Sequence, residues 1–405
     1  MRLSVRREMR SRGPRAAVSR LCFQSQGTAP GDRTKGNDVS TIHEQDAAAG
    51  QDEMDPAVEE QMGKILTELG STLGVLLISL GVHSGLWAAL AGAGPLTTTE
   101  VAGRVAVDPA LVRDWLRAQA AGGYLDYDPQ HDTFTLPDAV AAAIVHGPGG
   151  PLVDACTSIL SSIGETFPEF STAFSSGRGF GWHQRSAEHW HGVDALTRLM
   201  MPPELIAATI GQLPDVAAAL AAGGSALDVG CGYGAPTMGI AGLYPAARVL
   251  GIDYHDASIA KARAAAAASG VNNARFEVAQ ATERPGSGYD LITFFDSLHD
   301  IGDARGALVR ARGALAPGGA VVLFEPLAAD DVASNLNPNG RMFYAISTLA
   351  CTPTAVSQRT PTSSEPLGGQ AGEKALRAVA AEAGFTAVRR LEVPAELNLV
   401  LELRP

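Results

Sequence analysis

The chain has 405 residues, 46% of them hydrophobic, and a formal net charge of −12. This length predicts two or three globular domains with a large core, and the acidic balance opposes binding to nucleic acid. The four cysteines (Cys22, Cys156, Cys231 and Cys351) form no C-x-x-C pair, so neither a disulfide framework nor a zinc knuckle is predicted, and a reducing cytoplasm is the expected location.

The N-terminal segment differs from the rest in composition. Residues 1–35 carry nine Lys or Arg against two acids and lack the apolar core of a secretory signal. A targeting peptide or a nucleic-acid arm is an alternative, but the polar composition up to Asp55 favours a disordered tail over residues 1–55. The longest apolar stretch, residues 73–82, is about half of what a bilayer requires, so no membrane span is expected.

Residues 56–150 predict a winged-helix-like domain. A strongly apolar helix runs from Pro56 to about residue 91, followed by a capped helix (97–105), a longer helix (108–122) and a short hairpin (124–136). The 108–122 helix has two acids and two arginines and therefore no basic face for DNA phosphates. This favours a role in dimerisation and in roofing the substrate, and the apolar first helix predicts a homodimer.

Residues 151–222 predict a helical linker that roofs the substrate, with an irregular insert at residues 175–194. The insert holds Trp182, His183 and two further histidines. Clustered histidines allow a metal site, but aromatic and imidazole groups ahead of a cofactor domain are more typical of a pocket wall. Trp182 and His183 are therefore predicted to line the substrate pocket, and no metal is predicted.

Residues 223–405 alternate strands with helices and predict an α/β domain with a Rossmann-like, seven-stranded sheet. Residues 226–234 read Ala-Leu-Asp-Val-Gly-Cys-Gly-Tyr-Gly. Gly230, Gly232 and Gly234 let the backbone approach a ligand closely, and the following helix directs free N–H groups towards it. Asp253 ends the next strand and suits the two hydroxyls of a ribose, so this is a predicted nucleoside site.

Two cofactors fit that site. Gly230, Gly232 and Ala235 also satisfy the dinucleotide pattern G-x-G-x-x-G/A, so an NAD-dependent oxidoreductase is one alternative. With Asp228, however, the segment resembles the D/E-x-G-x-G-x-G opening of class I methyltransferases, which implies S-adenosyl-L-methionine as the cofactor and places Asp228 near its methionyl part. Five more residues are expected to contact the cofactor: Tyr254, Ala281, Thr282, Phe295 and Asp296.

The segment after the fourth strand of this domain, Asp296-Ser-Leu-His-Asp-Ile-Gly-Asp, carries the candidate chemistry. It resembles the His-Asp-x-x-Asp signature of small-molecule O-methyltransferases that have an N-terminal winged-helix dimerisation domain. The resemblance implies that His299 is the general base, with Asp300 or Glu325 orienting its ring. Ile301 and Gly302 depart from the pattern of the plant enzymes among these O-methyltransferases, which have Trp and a small polar residue at those positions. The alternative is that His299 only lines the pocket.

Residues 327–372 show no clear hydrophobic period and are therefore predicted to form a loop. A loop of this length is usually functional. Arg341, Phe343 and Tyr344 within it are predicted to line the substrate pocket. The sequence thus predicts methyl transfer to a hydroxyl or carbon of a small-molecule secondary metabolite. The alternatives are an S-adenosylmethionine-sensing winged-helix transcriptional regulator and, less favoured, the oxidoreductase.

Overall fold

The computed structural model describes residues 55–283 and 286–405, and the contacts within it separate two units, Met1–Val75 and Leu76–Pro405. Apart from Asp55, the expected disordered tail lies outside the described residues, and so does Cys22. The expected domain boundaries near residues 150 and 222 stay predictions.

The first helix, α1 (Pro56–His83), is shorter than expected, because Gly85 adopts a φ of 72° and a separate short helix, α2 (Leu86–Leu90), follows. Most apolar side chains of α1 before residue 78 are exposed. Among the described residues, α1 is long and apolar enough to span a membrane by length and composition. A second, bent pair of helices, Pro203–Gly211 with Pro214–Ala221, passes that test only if it is taken as one segment.

The winged-helix elements follow in the expected order. Strand β1 (Leu96–Thr97) precedes α3 (Thr98–Val105) and α4 (Pro109–Ala121), and β2 (Asp126–Asp128) and β3 (Thr133–Thr135) complete an antiparallel sheet in the order β1-β3-β2. Thr97 and Glu100 form a capping box at the start of α3. On α4, Arg113 pairs with Asp114 at 3.0 Å, so this helix has no continuous basic face.

Helices connect this region to the large sheet: α5 (Asp138–Ile144), α6 (Gly149–Ser175), α7 (Ala187–Met200), α8 (Pro203–Gly211) and α9 (Pro214–Ala221). The predicted irregular insert at 175–194 is shorter in the structure, since a 3-10 turn at Trp182–Gln184 leads directly into α7. His189 is therefore a helical residue. Gly192 lets α7 approach α6 closely, because a Cβ there would lie 2.7 Å from the Ala155 carbonyl oxygen.

The C-terminal region confirms the predicted α/β class. Seven strands, β4 (Ser225–Val229), β5 (Arg248–Asp253), β6 (Ala274–Val278), β7 (Tyr289–Phe295), β8 (Leu315–Pro326), β9 (Ala387–Arg390) and β10 (Asn398–Arg404), pair in the order β6-β5-β4-β7-β8-β10-β9. Within this sheet, β10 runs in the direction opposite to the other six strands and is antiparallel to both β8 and β9. The strand order reverses between β4 and β7, which opens a crevice beyond their carboxyl ends.

Helices cover the sheet: α10 (Ala235–Leu243), α11 (Asp256–Ser269), α12 (Ala304–Ala314) and α15 (Gly372–Glu382). The segment 327–372 is not the loop that its sequence indicated. It contains a nearly continuous helical run, α13 (Pro338–Ile346), a π-helical turn (Ser347–Cys351) and α14 (Thr352–Ser357). Asn337 caps α13 by accepting a hydrogen bond from Gly340 N, and the short, partly exposed helices explain why no hydrophobic period is visible.

Candidate functional site

A cleft lies beyond the carboxyl ends of β4 and β7. It encloses about 1030 Å³, including its open mouth. Ten residues that the sequence assigned to cofactor, substrate or catalysis line it: Trp182, Asp228, Gly230, Gly232, Asp253, Tyr254, Ala281, Phe295, Asp296 and Asp300.

The glycine turn forms the floor of this cleft. Gly230 and Gly232 have φ values of 73° and 52°, a region that side chains disfavour. A Cβ on Gly230 would lie 2.7 Å from the Cβ of Ser297, whereas a Cβ on Gly232 would enter open space. Gly232 therefore leaves room for a ligand. Gly234 caps α10 and packs against the ring of Phe276 rather than lining the cleft.

Asp228 is fully buried beneath the turn. Its carboxylate accepts hydrogen bonds from the hydroxyls of Thr237, at 2.6 Å, and Thr293, at 3.1 Å. Thr293 is its direct neighbour across the β4–β7 pair. Burial raises the pKa of Asp228 to about 6, against the effect of both threonine hydrogen bonds.

Asp253 lies at the end of β5, as predicted, and its carboxylate is already oriented by the backbone. Gly232 N donates to its Oδ2 at 3.0 Å and His255 N donates to its Oδ1 at 2.9 Å. Burial raises its pKa. Each oxygen retains further acceptor capacity, which suits the paired hydroxyls of a ribose.

Aromatic side chains from α7 and the preceding turn cover the cleft. Trp182 N donates a hydrogen bond to the Tyr254 hydroxyl at 3.0 Å, and Trp190 Nε1 donates to the Trp182 carbonyl at 3.0 Å. Trp190 also packs on His255, with ring centroids 4.4 Å apart. The covering turn is thereby tied to the residue that follows Asp253.

His299 and Glu325 form a buried pair. His299 Nδ1 lies 2.6 Å from Glu325 Oε2, and both side chains are at most 5% exposed. Leu298 N donates to the other carboxylate oxygen of Glu325 at 3.0 Å, which fixes that side chain. The second ring nitrogen, Nε2, lies 3.3 Å from Asp300 Oδ1. Burial opposes the charged ring, but the Glu325 and Asp300 carboxylates outweigh it and hold the pKa of His299 well above its usual value.

Two acidic residues at the cleft have an oxygen without a hydrogen-bond partner. Asp296 Oδ1 and Asp300 Oδ1 are both buried and unpaired by hydrogen bonds. The contact of Asp300 with His299 is close, but it lacks hydrogen-bond alignment. Asp296 has a φ of 53°, and burial raises its pKa to about 7. Both carboxyl groups are therefore available to a ligand that carries donors.

The remaining predicted residues lie away from this cleft. His183 and Thr282 line a neighbouring depression together with Tyr254 and Ser357. The three residues predicted from the 327–372 segment (Arg341, Phe343 and Tyr344) are on α13 and are not among those that line the cleft. The roles assigned to individual residues stay predictions.

Sequence reasoning missed several residues that build the site. Thr237 and Thr293 hold Asp228, and Thr354 and Gln358, on and just after α14, line the cleft. Gln358 Nε2 donates to the Asp300 carbonyl at 2.9 Å. A Cβ on Gly302 would lie 2.6 Å from the Gln358 carbonyl carbon, so glycine there lets the end of α14 pack closely beside the 3-10 turn Leu298–Asp300. The positions of Thr237 and Thr293 in the sequence did not indicate this role, because the fold of the chain brings both residues to Asp228.

Comparisons with known proteins decide the class of this chain. Residues 220–383 match a family described as "Methyltransferase domain", and residues 72–146 match an "Rv2258c-like winged HTH domain". The chain is an S-adenosylmethionine-dependent class I methyltransferase. Its winged-helix domain precedes the methyltransferase domain, as predicted. No curated protein matches the chain.

Solved structures share the fold of this methyltransferase. A putative O-methyltransferase from Nostoc punctiforme is 17% identical, with a TM-score of 0.63 over 87% of this chain and 99% of its own. The mitomycin 7-O-methyltransferase MmcR is 18% identical, with a TM-score of 0.59 over 86% and 98%. Human N-acetylserotonin methyltransferase is 17% identical, with a TM-score of 0.57 over 88% and 99%.

Asp228→Asn is expected to stabilise the ligand-free methyltransferase at pH 8 while weakening cofactor binding. The folded-state pKa of about 6 exceeds the ordinary 3.8, so the stability associated with Asp228 is greatest below about pH 4 and is lost as the pH rises through 6. The amide removes that loss. Thermal unfolding against pH should show a higher Tm for the variant at pH 8, by about 2–4 °C per kcal/mol, and calorimetry should show weaker cofactor binding.

The surface variant Asp256→Asn is the matched control, because it removes an exposed carboxylate from the same domain. If the Tm of wild type and of Asp228→Asn changed in the same way between pH 4 and pH 8, the buried carboxylate would not be the source of the predicted loss of stability.

Proposed function

We propose that this methyltransferase transfers the methyl group of S-adenosylmethionine to a hydroxyl oxygen of a small, partly aromatic secondary metabolite, with His299 as the general base. The 2.6 Å contact between His299 Nδ1 and Glu325 Oε2 carries this proposal. With Nδ1 held in this way, Nε2 is the ring nitrogen left to accept a proton, and it lies 3.3 Å from Asp300, which lines the cleft.

The chemistry needs little beyond positioning and proton removal. The bound cofactor supplies an electrophilic methyl group, and the acceptor oxygen must present a lone pair in line with it. His299 would take the hydroxyl proton on Nε2 as the oxygen–methyl bond forms and the methyl–sulfur bond of the cofactor breaks, with S-adenosylhomocysteine as the leaving group, and Glu325 would stabilise the resulting imidazolium. The glycine turn and Asp253 would hold the nucleoside, and Asp296, which also lines the cleft, would accept from the cofactor's ammonium group.

The shape of the cleft supports an aromatic acceptor. Trp182 and Trp190 form its cover and Phe295 contributes to its wall, and flat rings bury well against such surfaces. Among proteins with this fold, MmcR is named a mitomycin 7-O-methyltransferase, and NcsB1 binds 2-hydroxy-5-methyl naphthoic acid. An oxygen on or near a ring is therefore the acceptor that we propose here.

His299→Ala is expected to lower kcat by about 10²–10⁴-fold, the usual contribution of a positioned base, and to leave cofactor affinity unchanged. Initial rates with an acceptor found by mass spectrometry of co-purified ligand, together with calorimetric titration of the cofactor, measure the two effects separately. His146→Ala, an exposed histidine of the winged-helix region, is the control. Full activity of His299→Ala would indicate a carbon or thiol acceptor, or catalysis by proximity alone.

The pH dependence of kcat should depend on Glu325. Because carboxylates raise the pKa of His299, kcat is expected to increase as the pH rises above neutrality and the ring loses its proton. Glu325→Gln removes one negative charge, lowers the pKa of His299 and should move the acid limb of the profile to lower pH. Asp303→Asn, which changes a cap of α12 and the hydrogen bonds from Ser364 but removes no contact of His299, should leave the limb in place. A loss of rate without any shift would assign Glu325 a merely structural role.

The assembly that we propose is a homodimer in the cytoplasm. Cys156, Cys231 and Cys351 are free thiols, as expected in a reducing compartment. Leu66, Leu69 and Leu73 expose apolar surface on α1, and we propose that a second copy of the chain covers it.

Leu69→Glu with Leu73→Glu should convert the dimer to a monomer, because two buried carboxylates would be introduced into the interface. Light scattering after size exclusion measures the mass, and Lys64→Glu on the same helix controls for added charge. A wild-type monomer that binds lipid vesicles would instead assign the apolar face to a membrane.

A further inference from the structure

Three donor atoms of different chemistry meet beside the cleft. His299 Nε2, Asp300 Oδ1 and Cys351 Sγ all lie within 4.8 Å of one another. His299 and Asp300 are consecutive on the 3-10 turn Leu298–Asp300, and Cys351 ends the π-helical turn Ser347–Cys351. We propose that these three side chains bind a zinc-like divalent cation.

The donor set is selective. Imidazole nitrogen, thiolate sulfur and carboxylate oxygen are the zinc ligands of proteins, and a three-ligand set leaves the fourth tetrahedral position open. Magnesium and calcium prefer oxygen donors only. The described residues contain this one group of three such side chains, and none of the histidines from the predicted 175–194 insert takes part in it.

Two further contacts match the surroundings of a metal site. A histidine that binds metal usually gives its other ring N–H to a carboxylate, and Glu325 receives Nδ1 of His299 at 2.6 Å. Asp300 Oδ1 is buried and has no hydrogen-bond partner. Its 3.3 Å contact with His299 Nε2 brings opposite charges together but is not a hydrogen bond, and a cation between Asp300, His299 and Cys351 would bind this oxygen directly.

The segment that carries Cys351 is held in place independently of any metal. Arg185 is buried and donates hydrogen bonds to the carbonyls of Leu349, at 2.8 Å, and Ala350. Asp300 lines the cleft next to Thr354 and Gln358. Water or the acceptor oxygen would complete the coordination of a cation held there.

Binding is balanced in charge and protons. The cation forms a bond to Sγ of Cys351 as the S–H bond breaks, it displaces any proton from Nε2 of His299, and these protons leave to solvent. The thiolate and the Asp300 carboxylate then neutralise the two positive charges. Because the metal occupies the Nε2 lone pair that the base requires, zinc should inhibit methyl transfer. That consequence rests on the proposed function, whereas metal binding itself does not.

Cobalt(II) is the spectroscopic probe. The full-length protein, treated with chelator and kept reduced by a phosphine, is titrated with Co²⁺ and then with Zn²⁺. We expect one equivalent to bind with intense visible bands of tetrahedral geometry and a near-ultraviolet thiolate-to-cobalt band, and zinc should displace it. Cys351→Ser should abolish the thiolate band, and Asp300→Asn should weaken binding at least tenfold. Cys156→Ser, in α6 and outside the cluster, should change neither.

The outcomes separate the two proposals. Absence of a thiolate band in the wild type, or its persistence in Cys351→Ser, overturns the metal site even if His299→Ala is inactive. Conversely, a normal cobalt spectrum together with a fully active His299→Ala variant refutes the base and leaves the metal site standing. Zinc should inhibit the wild type at concentrations at least tenfold below those needed for Cys351→Ser, each compared with its own metal-free rate. Circular dichroism and Tm show whether Cys351→Ser has folded. If it has not, the cobalt affinity of Asp300→Asn decides whether the metal site exists.

Discussion

The buried carboxylate of Asp228 joins three elements beneath the cleft. Thr237 reaches it from the first turn of α10 and Thr293 from β7, so β4, which precedes the glycine turn, is fixed to α10 and to β7. The main-chain N–H groups of the turn and of α10 are aimed correctly only while this junction holds. A charge without solvent is costly, and here the two hydroxyls compensate for part of that cost.

Carboxylates at the ends of two other strands, on either side of the crevice, are also fixed by hydrogen bonds. Glu325, at the end of β8, is fixed by Leu298 N and holds His299, as Asp253 at the end of β5 is fixed by Gly232 N. Glu325 uses one oxygen to accept from Leu298 N and the other to hold His299, whereas both oxygens of Asp253 accept backbone N–H groups, from Gly232 and His255. The strand ends thus supply rigid acceptors, and the less regular α13–α14 segment closes over them. This division between a rigid floor and a variable cover is common in folds that serve many substrates.

The floor of the site and Trp182 in its cover could be predicted from the sequence, whereas the part of the cover that α14 contributes could not. Gly230, Gly232 and Asp253 are close in sequence and have a spacing that one unit of strand, turn, helix and strand imposes. Residues 338–357 form helices too short and too exposed to leave a hydrophobic period, so their helicity was missed. Cys351 comes near His299 through tertiary packing, in which Gly302 lets the end of α14 lie close to the turn Leu298–Asp300. Such contacts depend on tertiary packing that no local pattern records.

Asp296 has a left-handed backbone with a φ of 53° and an unpaired, buried carboxylate oxygen. For a residue with a Cβ this conformation costs about 1–2 kcal/mol, and glycine would avoid it. Selecting variants of this enzyme for thermal stability alone would therefore favour the replacement of Asp296 by glycine. The higher melting temperature would then come with the loss of one of the carboxylates that line the cleft.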